Sequence, residues 1–468
     1  MHLLAYLRGV FNANLDLAMR TNSCTRKTLN GKNMLASEQK LIQNSYYTAS
    51  ANPHPNYAPL EEDTTVDVCV VGAGLAGLSA AIELADRGFT VLVLEAETVG
   101  WGASGRNGGQ IIAGLACEQG VIEKALGQDA ARKAWDVTIE ALDLVRERVK
   151  RFNIECDLES GFLGVAVGER KGAALREWYE NMAKRYHYDT DAQWIEPRDL
   201  PQWIDSPRFH SGYHDRRSGH LHPLNYTLGL ARGAASIGVR ICEHSPVRSM
   251  SSGEPTVLHT DKGSVKARFV VLAGNMYLPE VAPQLAPALA RRIMPVGTYI
   301  IGTEAIDPAL VAKLIPSKSA ICDSNFVLDY FRFSADHRLL FGGRVSYSTM
   351  TPPNLKEDMK KRMKLVFPQL AGINVEYSWG GFVDITMNRA PDFGRIAANV
   401  YYLQGFSGHG VALTGMAGKL AADAITGQAE RFDLLSRIPH HDFPGGKLLR
   451  TPALVLGMLW YRLRDAIG

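Results

Sequence analysis

Residues 67–96 read DVCVVGAGLAGLSAAIELADRGFTVLVLEA, and this stretch decides the fold. Val68, Cys69, Val70 and Val71 form a short uncharged run, the pattern of a strand buried on both faces. Gly72-x-Gly74-x-x-Gly77 follows, then LSAAIELADRG with helical spacing and Gly88 as its stop. TVLVLEA (90–96) is a second buried strand, so a βαβ unit opens the folded part. The glycines supply a tight turn, close approach of backbone to a ligand and a close helix–strand crossing. The helix starting at Leu75 offers unpaired N–H groups and a positive dipole end to a pyrophosphate. Glu95 closes the second strand at the spacing where a carboxylate accepts from ribose hydroxyls, which argues against a 2′-phosphate. A dinucleotide is therefore expected on Gly72, Ala73, Gly74, Leu75, Ala76, Gly77, Glu95 and Ala96. The signature does not separate NAD from FAD.

A second loop does. VGWGASGRNGGQ (99–110) places five glycines just beyond Glu95. FAD continues past its pyrophosphate through a ribityl chain to a three-ring flavin, and backbone must line that path. Glycines let amides approach, and Ser104, Arg106 and Asn107 can hydrogen-bond phosphate or ribityl oxygens. Gly102, Ala103, Gly108, Gly109 and Gln110 complete this set. A third piece, GFSGHGV (405–411), precedes a helix expected just after Gly410. Its N-terminal amides would favour the negative edge of a reduced flavin, bringing Gly405, Gly408, His409, Gly410 and Val411 into the candidate site. His409 is either a donor to that edge or a structural histidine bonding backbone. Val247 and Gly274 join the cofactor candidates from a further nucleotide-binding segment that ends at Ala273-Gly274.

The 468 residues exceed the usual size of one core, so two domains are expected. With 46% hydrophobic and 21% charged residues the composition is that of an ordinary globular enzyme, and a net charge of +3 gives no argument for nucleic acid. Six scattered cysteines form no CxxC pair, which disfavours a disulfide framework or a zinc site and suits a reducing compartment. No stretch reaches the roughly 18–20 apolar residues of a spanning helix. Residues 1–44 read as an extension, either a disordered lead-in with Met34 as the start or a targeting or membrane-surface helix. Residues 441–468 read as an amphipathic tail.

Between the nucleotide-binding segments the pattern becomes antiparallel: GFLGVAV (161–167), GTYIIGTE (297–304), and NFVLDYFRFSADHRLLFGGR (325–344) folding about Ala335-Asp336-His337. The expected class is α/β. A Rossmann-like domain would be built from 45–115, 226–275 and 376–440, with an inserted α+β substrate domain of mixed, mainly antiparallel sheet from 116–225 and 276–375.

GAGLAG with Glu95, then GASGRNGG, then GFSGHG near the end resemble the D-amino-acid-oxidase-like family of FAD-dependent amine oxidoreductases, from about Ser45 to the C-terminus. SYYTASAN (45–52), SGHLHPLN (218–225), LDYFRF (328–333) and FPGGK (443–447) narrow the likeness to the branch that oxidises γ-glutamylated putrescine. The resemblance implies oxidation of the primary amine to an aldehyde, with release of ammonia and passage of electrons to molecular oxygen. It also implies a cytoplasmic bacterial enzyme. Some members attach flavin through a cysteine in the segment before the GHG strand; DITMNRAPDFGR (384–395) has none, so non-covalent FAD is expected.

In LDYFRF alternate residues share a face. Tyr330 is a candidate for lining the channel to the amine, and Arg332 either binds a substrate carboxylate or makes a surface ion pair. His220 and His222 are weak metal candidates without a third ligand, so no metal is expected. Competing readings are an oxidase or dehydrogenase of a D-amino or N-methyl amino acid, a flavin-bearing electron-transfer or assembly subunit, and a nicotinamide dehydrogenase. Oligomeric state leaves no mark in the sequence.

Overall fold

The computed structural model describes residues 41–444 apart from Ser252, Phe326 and 347–353. Most of the expected N-terminal extension, with Met34, and most of the C-terminal amphipathic tail lie outside the described residues.

Thr64–Val71 forms the middle of a first sheet, paired in parallel with Val91–Leu94 on one side and Ser264–Leu272 on the other. Arg240–Cys242 and Val400–Gln404 extend the parallel order at either end. Asp392–Ala397 closes one edge antiparallel, and the hairpin strands Ser249–Ser251 and Thr256–His259 attach antiparallel to Ser264–Leu272. The uncharged run 68–71 of the central strand is buried on both faces: Val68 and Val70 enter one core, Cys69 and Val71 the other. Helices Leu75–Asp86, Pro223–Ser236 and Leu413–Ile425 cover the first face, with Gln128–Arg151 packed beyond them. Leu278, Ala282, Leu285 and Leu289 cover the second.

The second sheet runs in the order Val375–Thr386, Ile293–Thr303, Leu339–Ser346, Tyr330–Phe333, Ala320–Asp323, Glu159–Ala166, Ser211–His220 and Gln110–Ile111, with Ala192–Ile195 beside Ser211–His220. Its pairings are antiparallel except Ala320–Asp323 with Glu159–Ala166. The fold is thus α/β, a Rossmann-like sheet of separated segments joined to a mixed, mainly antiparallel one. No helix among the described residues is long and apolar enough to cross a membrane.

The expected domain limits are crossed in four places. Gln110–Ile111 already pairs with the second sheet. The helix Gln128–Arg151, assigned by sequence to the substrate part, packs on Leu413–Ile425 of the cofactor part. Residues 278–289 cover the first sheet. Val375–Thr386, assigned to the cofactor part, is an edge strand of the second sheet along Ile293–Thr303. An apolar run such as WGGFV shows that a strand is buried but not which sheet it joins.

Candidate active site

Two cavities meet at loop 99–110. The first, about 110 Å³, is walled by Gly72, Gly74, Leu75 and Ala76 of the glycine turn, by Glu95 and Ala96, by Gly102, Ala103 and Ser104, and by Val247 and Gly274. The second, about 600 Å³, is walled by Ala103, Arg106, Asn107, Gly108 and Gln110 from the same loop and by Gly408, His409 and Val411 from the third motif. Ala103 borders both. A slot at the βαβ turn therefore adjoins a chamber under the second sheet, which suits a ligand with two ends.

The turn could hold a pyrophosphate because side chains are excluded from it. Gly72 has φ +107°, and a Cβ there would lie 2.7 Å from the Ala273 carbonyl oxygen. A Cβ on Gly77 would lie 2.0 Å from the Gly72 oxygen, so helix and strand cross at backbone contact. Gly74 precedes the helix without a capping side chain, while Ser104 Oγ accepts from the Leu75 N–H at 3.0 Å. Glu95 is fixed by the backbone N–H groups of Ala73 (2.7 Å) and Glu97 (3.0 Å). Burial raises its pKa, against those amides, and its remaining lone pairs can accept from a ribose.

Other loop residues act differently from their sequence reading. Asn107 Nδ2 donates to the carbonyls of Ala103 (2.9 Å) and Ser104 (3.0 Å), and its Oδ1 accepts from Gly109 N–H (2.8 Å). Its amide braces the loop instead of reaching toward a ligand. The Arg106 guanidinium stacks 4.2 Å over Trp101. Gln110 bonds the Ile321 carbonyl and accepts from Cys322 Sγ. Ala73, Gly77, Gly109, Gly405 and Gly410 line neither cavity; they shape the backbone around them. Gly405 has φ +78° and donates its N–H to Asp384, whose carboxyl burial pushes up to about 7. That bond ties the third motif to the edge strand of the second sheet.

Tyr330 faces the second cavity. Its ring sits between Gly108 and Gly342, where added Cβ atoms would lie 2.7 Å and 2.1 Å from ring carbons. Burial raises its pKa, so the phenol stays neutral. Arg332 does not line the cavity and is only 2% exposed, so both sequence readings of it fail. Its guanidinium donates to the carbonyls of Gly108 (2.9 Å), Leu221 (2.8 Å) and Phe333 (3.3 Å) and to Tyr47 Oη (3.2 Å). Four segments are stitched by one buried side chain. His222 caps Pro223–Ser236 by accepting from Asn225 N–H, and His220 Nε2 bonds the Lys318 carbonyl. Burial first, then the Arg332 cation, lowers both imidazoles to about 3. No group of three metal-ligating side chains occurs among the described residues.

His409 lines the cavity, yet its Nε2 faces the carbonyls of Ile112 and Ala113, both at 3.2 Å. A carbonyl only accepts, so Nε2 carries the proton. Burial lowers the pKa, leaving Nδ1 an acceptor. The backbone-bonding reading fits this geometry, and a donor role toward a flavin edge does not. The following helix begins at Leu413, two residues later than expected, with Val411 and Ala412 as a turn against the cavity.

Sequence reasoning missed the other walls: Trp101, Tyr277 and Phe406 in the first cavity, and Met294, Val296, Phe382, Val383 and Ile385 in the second. Met294 and Val296 lie opposite Ile385 and Val383 at alternate positions of two adjacent strands, Ile293–Thr303 and Val375–Thr386, a signal that emerges only once their pairing is known. Asp392 and Arg395 lie in the strand Asp392–Ala397, where Arg395 pairs outward with Asp433.

Comparison with known proteins agrees with this architecture. A family model described as FAD dependent oxidoreductase (DAO) matches residues 67–424. The chain is 42% identical over 424 residues to the γ-glutamylputrescine oxidoreductase of Escherichia coli K12, covering 91% of this chain and 98% of that one. It is 32% identical over 422 residues to a probable oxidoreductase, OrdL, of Rhizobium meliloti, covering 90% and 97%. Among solved structures, glycine oxidase from Geobacillus kaustophilus superimposes with a TM-score of 0.63 at 21% identity, covering 77% of this chain and 95% of that one. L-amino acid deaminase from Proteus vulgaris gives 0.66 at 18%, covering 82% and 99%. With the glycine turn, the shared loop and the paired cavities in place, this chain belongs to the DAO family of FAD-dependent oxidoreductases and is an FAD-binding enzyme.

Proposed function

We propose that this enzyme oxidises the primary amine of γ-glutamylputrescine to the aldehyde, releasing ammonia and hydrogen peroxide, as a step in putrescine breakdown in the cytoplasm. The observation that carries the reading is full-length similarity to the E. coli oxidoreductase of that name combined with a chamber of about 600 Å³ reached by the cofactor loop. FAD would lie with its adenylate end at Gly72–Gly77 and Glu95 and its ring system in the chamber. Bound there, it supplies two-electron oxidation of the amine carbon and transfer of those electrons to oxygen. The balance is R–CH₂–NH₂ + O₂ + H₂O → R–CHO + NH₃ + H₂O₂.

The chain's own work is placement. Met294, Val296, Phe382 and Val383 make an apolar wall that disfavours an ammonium and so promotes the neutral amine. Tyr330, held between two glycines and neutral, orients the amine chain. Leu413–Ile425 turns its uncapped N-terminus to the chamber, where it stabilises negative charge. Peroxide release should be fastest with γ-glutamylputrescine in a panel with putrescine, D-alanine and sarcosine; faster turnover of D-alanine or sarcosine would transfer the assignment to another amine.

The cofactor is held without a covalent bond. Cys322 reaches the chamber, but burial raises its thiol pKa and its Sγ donates to Gln110, so it is a poor nucleophile. Acid precipitation should leave a colourless pellet and a yellow supernatant. Colour retained in the pellet would mean a covalent link.

A further inference from the structure

We infer that Arg389 is the residue that selects the substrate by its carboxylate. The chamber is electrostatically one-sided: among the described residues that line it there are two arginines, Arg106 and Arg389, and not one aspartate or glutamate. Such a wall repels a free diamine and attracts an amine that carries a separate carboxylate. Arg106 is stacked on Trp101. Arg389 is exposed at the rim, and among the described residues its guanidinium has neither a carboxylate nor a hydrogen-bond acceptor.

The backbone around Arg389 is built to hold it there. It sits at φ +61°, a conformation that costs a non-glycine residue free energy and persists where surrounding structure imposes it. Its N–H donates to the Thr386 carbonyl (3.1 Å), and Thr386 Oγ1 donates to the Ala390 carbonyl (2.7 Å). Asn388 accepts from Ala390 N–H and donates outward to the Pro439 carbonyl. The neighbouring polar side chains close the turn, and Arg389 is the charged residue of the turn that lines the chamber, beside Thr386 and Met387. A planar guanidinium there can take a carboxylate through two parallel hydrogen bonds.

The inference deepens the γ-glutamylputrescine reading and rests on it for the identity of the substrate. Its test uses the flavin-loaded enzyme and two unreactive ligands of equal length, glutaric acid monobutylamide and N-butylpentanamide, which differ by a carboxylate against a methyl group. Calorimetry should show the carboxylate ligand binding about ten- to a hundredfold tighter to the parent enzyme. Arg389→Leu should abolish that preference, and Arg389→Lys should keep part of it, with flavin content and melting temperature unchanged in both. Equal binding of the two ligands by the parent, or an undiminished preference in Arg389→Leu, would overturn the assignment. Should the preference hold while γ-glutamylputrescine gives no peroxide, the anion site stands and the substrate identity falls.

Discussion

A Gly77→Ala variant is expected to purify almost colourless. The added methyl would lie 2.0 Å from the Gly72 carbonyl oxygen and 3.1 Å from Val70 Cγ1, and the first of these is backbone that no rotamer change can move. Helix Leu75–Asp86 must therefore back away from Thr64–Val71 by roughly 1 Å, a displacement of the kind that costs 1–3 kcal/mol as overpacking and about a hundredfold in a positioned site. That shift opens the turn whose amides face the first cavity. It also drags Leu75 N–H from Ser104, and with it the loop shared by both cavities. Flavin content, read as the 450 nm to 280 nm absorbance ratio, should fall below about a tenth of the parent value. Gly120→Ala is the control. It lies in the helix Gln119–Leu126 with nothing within 4 Å of its Cβ, so it should keep full flavin and gain about 0.5–1 kcal/mol. A folded Gly77→Ala protein with stoichiometric flavin would remove the pyrophosphate turn from this account.

Legibility in the sequence followed constraint. Gly72, Gly74, Gly77 and Glu95 were readable because a turn, a crossing and a carboxylate at fixed spacing admit few alternatives. The five-glycine loop was readable as ligand-facing for the same reason. What the side chains inside it do was not: Asn107 is a good ligand by type, but a short amide two residues from Gly109 meets backbone first. The strand Val375–Thr386 was readable as buried and unreadable as to its sheet, because neighbours in a sheet are fixed by long-range pairing. Arg389 left no trace, since an arginine in a polar turn is what any surface loop contains; its significance is that no aspartate or glutamate is among the described residues that line its chamber.

The second large effect concerns the arginine that sequence singled out. Period-two alternation correctly placed Tyr330 and Arg332 on one face of Tyr330–Phe333. It could not tell that this face is divided, with Tyr330 at the chamber and Arg332 behind the loop under Tyr47. Arg332→Leu should therefore act as a folding lesion. It removes the donor from the buried Leu221 carbonyl and Tyr47 hydroxyl, each of which costs about 1–3 kcal/mol if left without a partner, and from the half-buried carbonyls of Gly108 and Phe333. Relaxation and water entry recover part of this, leaving a loss of about 3–5 kcal/mol, equivalent to a melting temperature lower by about 5–15 °C. Because one of those carbonyls belongs to Gly108, flavin retention should weaken along with stability. Arg332→Lys should rescue little, since one ammonium cannot span carbonyls on both sides of the fork. The discriminating result is the Michaelis constant of whatever Arg332→Lys protein retains flavin: it should stay near the parent value, whereas Arg389→Leu should raise it at full stability. An Arg332→Lys enzyme with parental melting temperature and a strongly raised Michaelis constant would return the carboxylate to Arg332 and take it from Arg389.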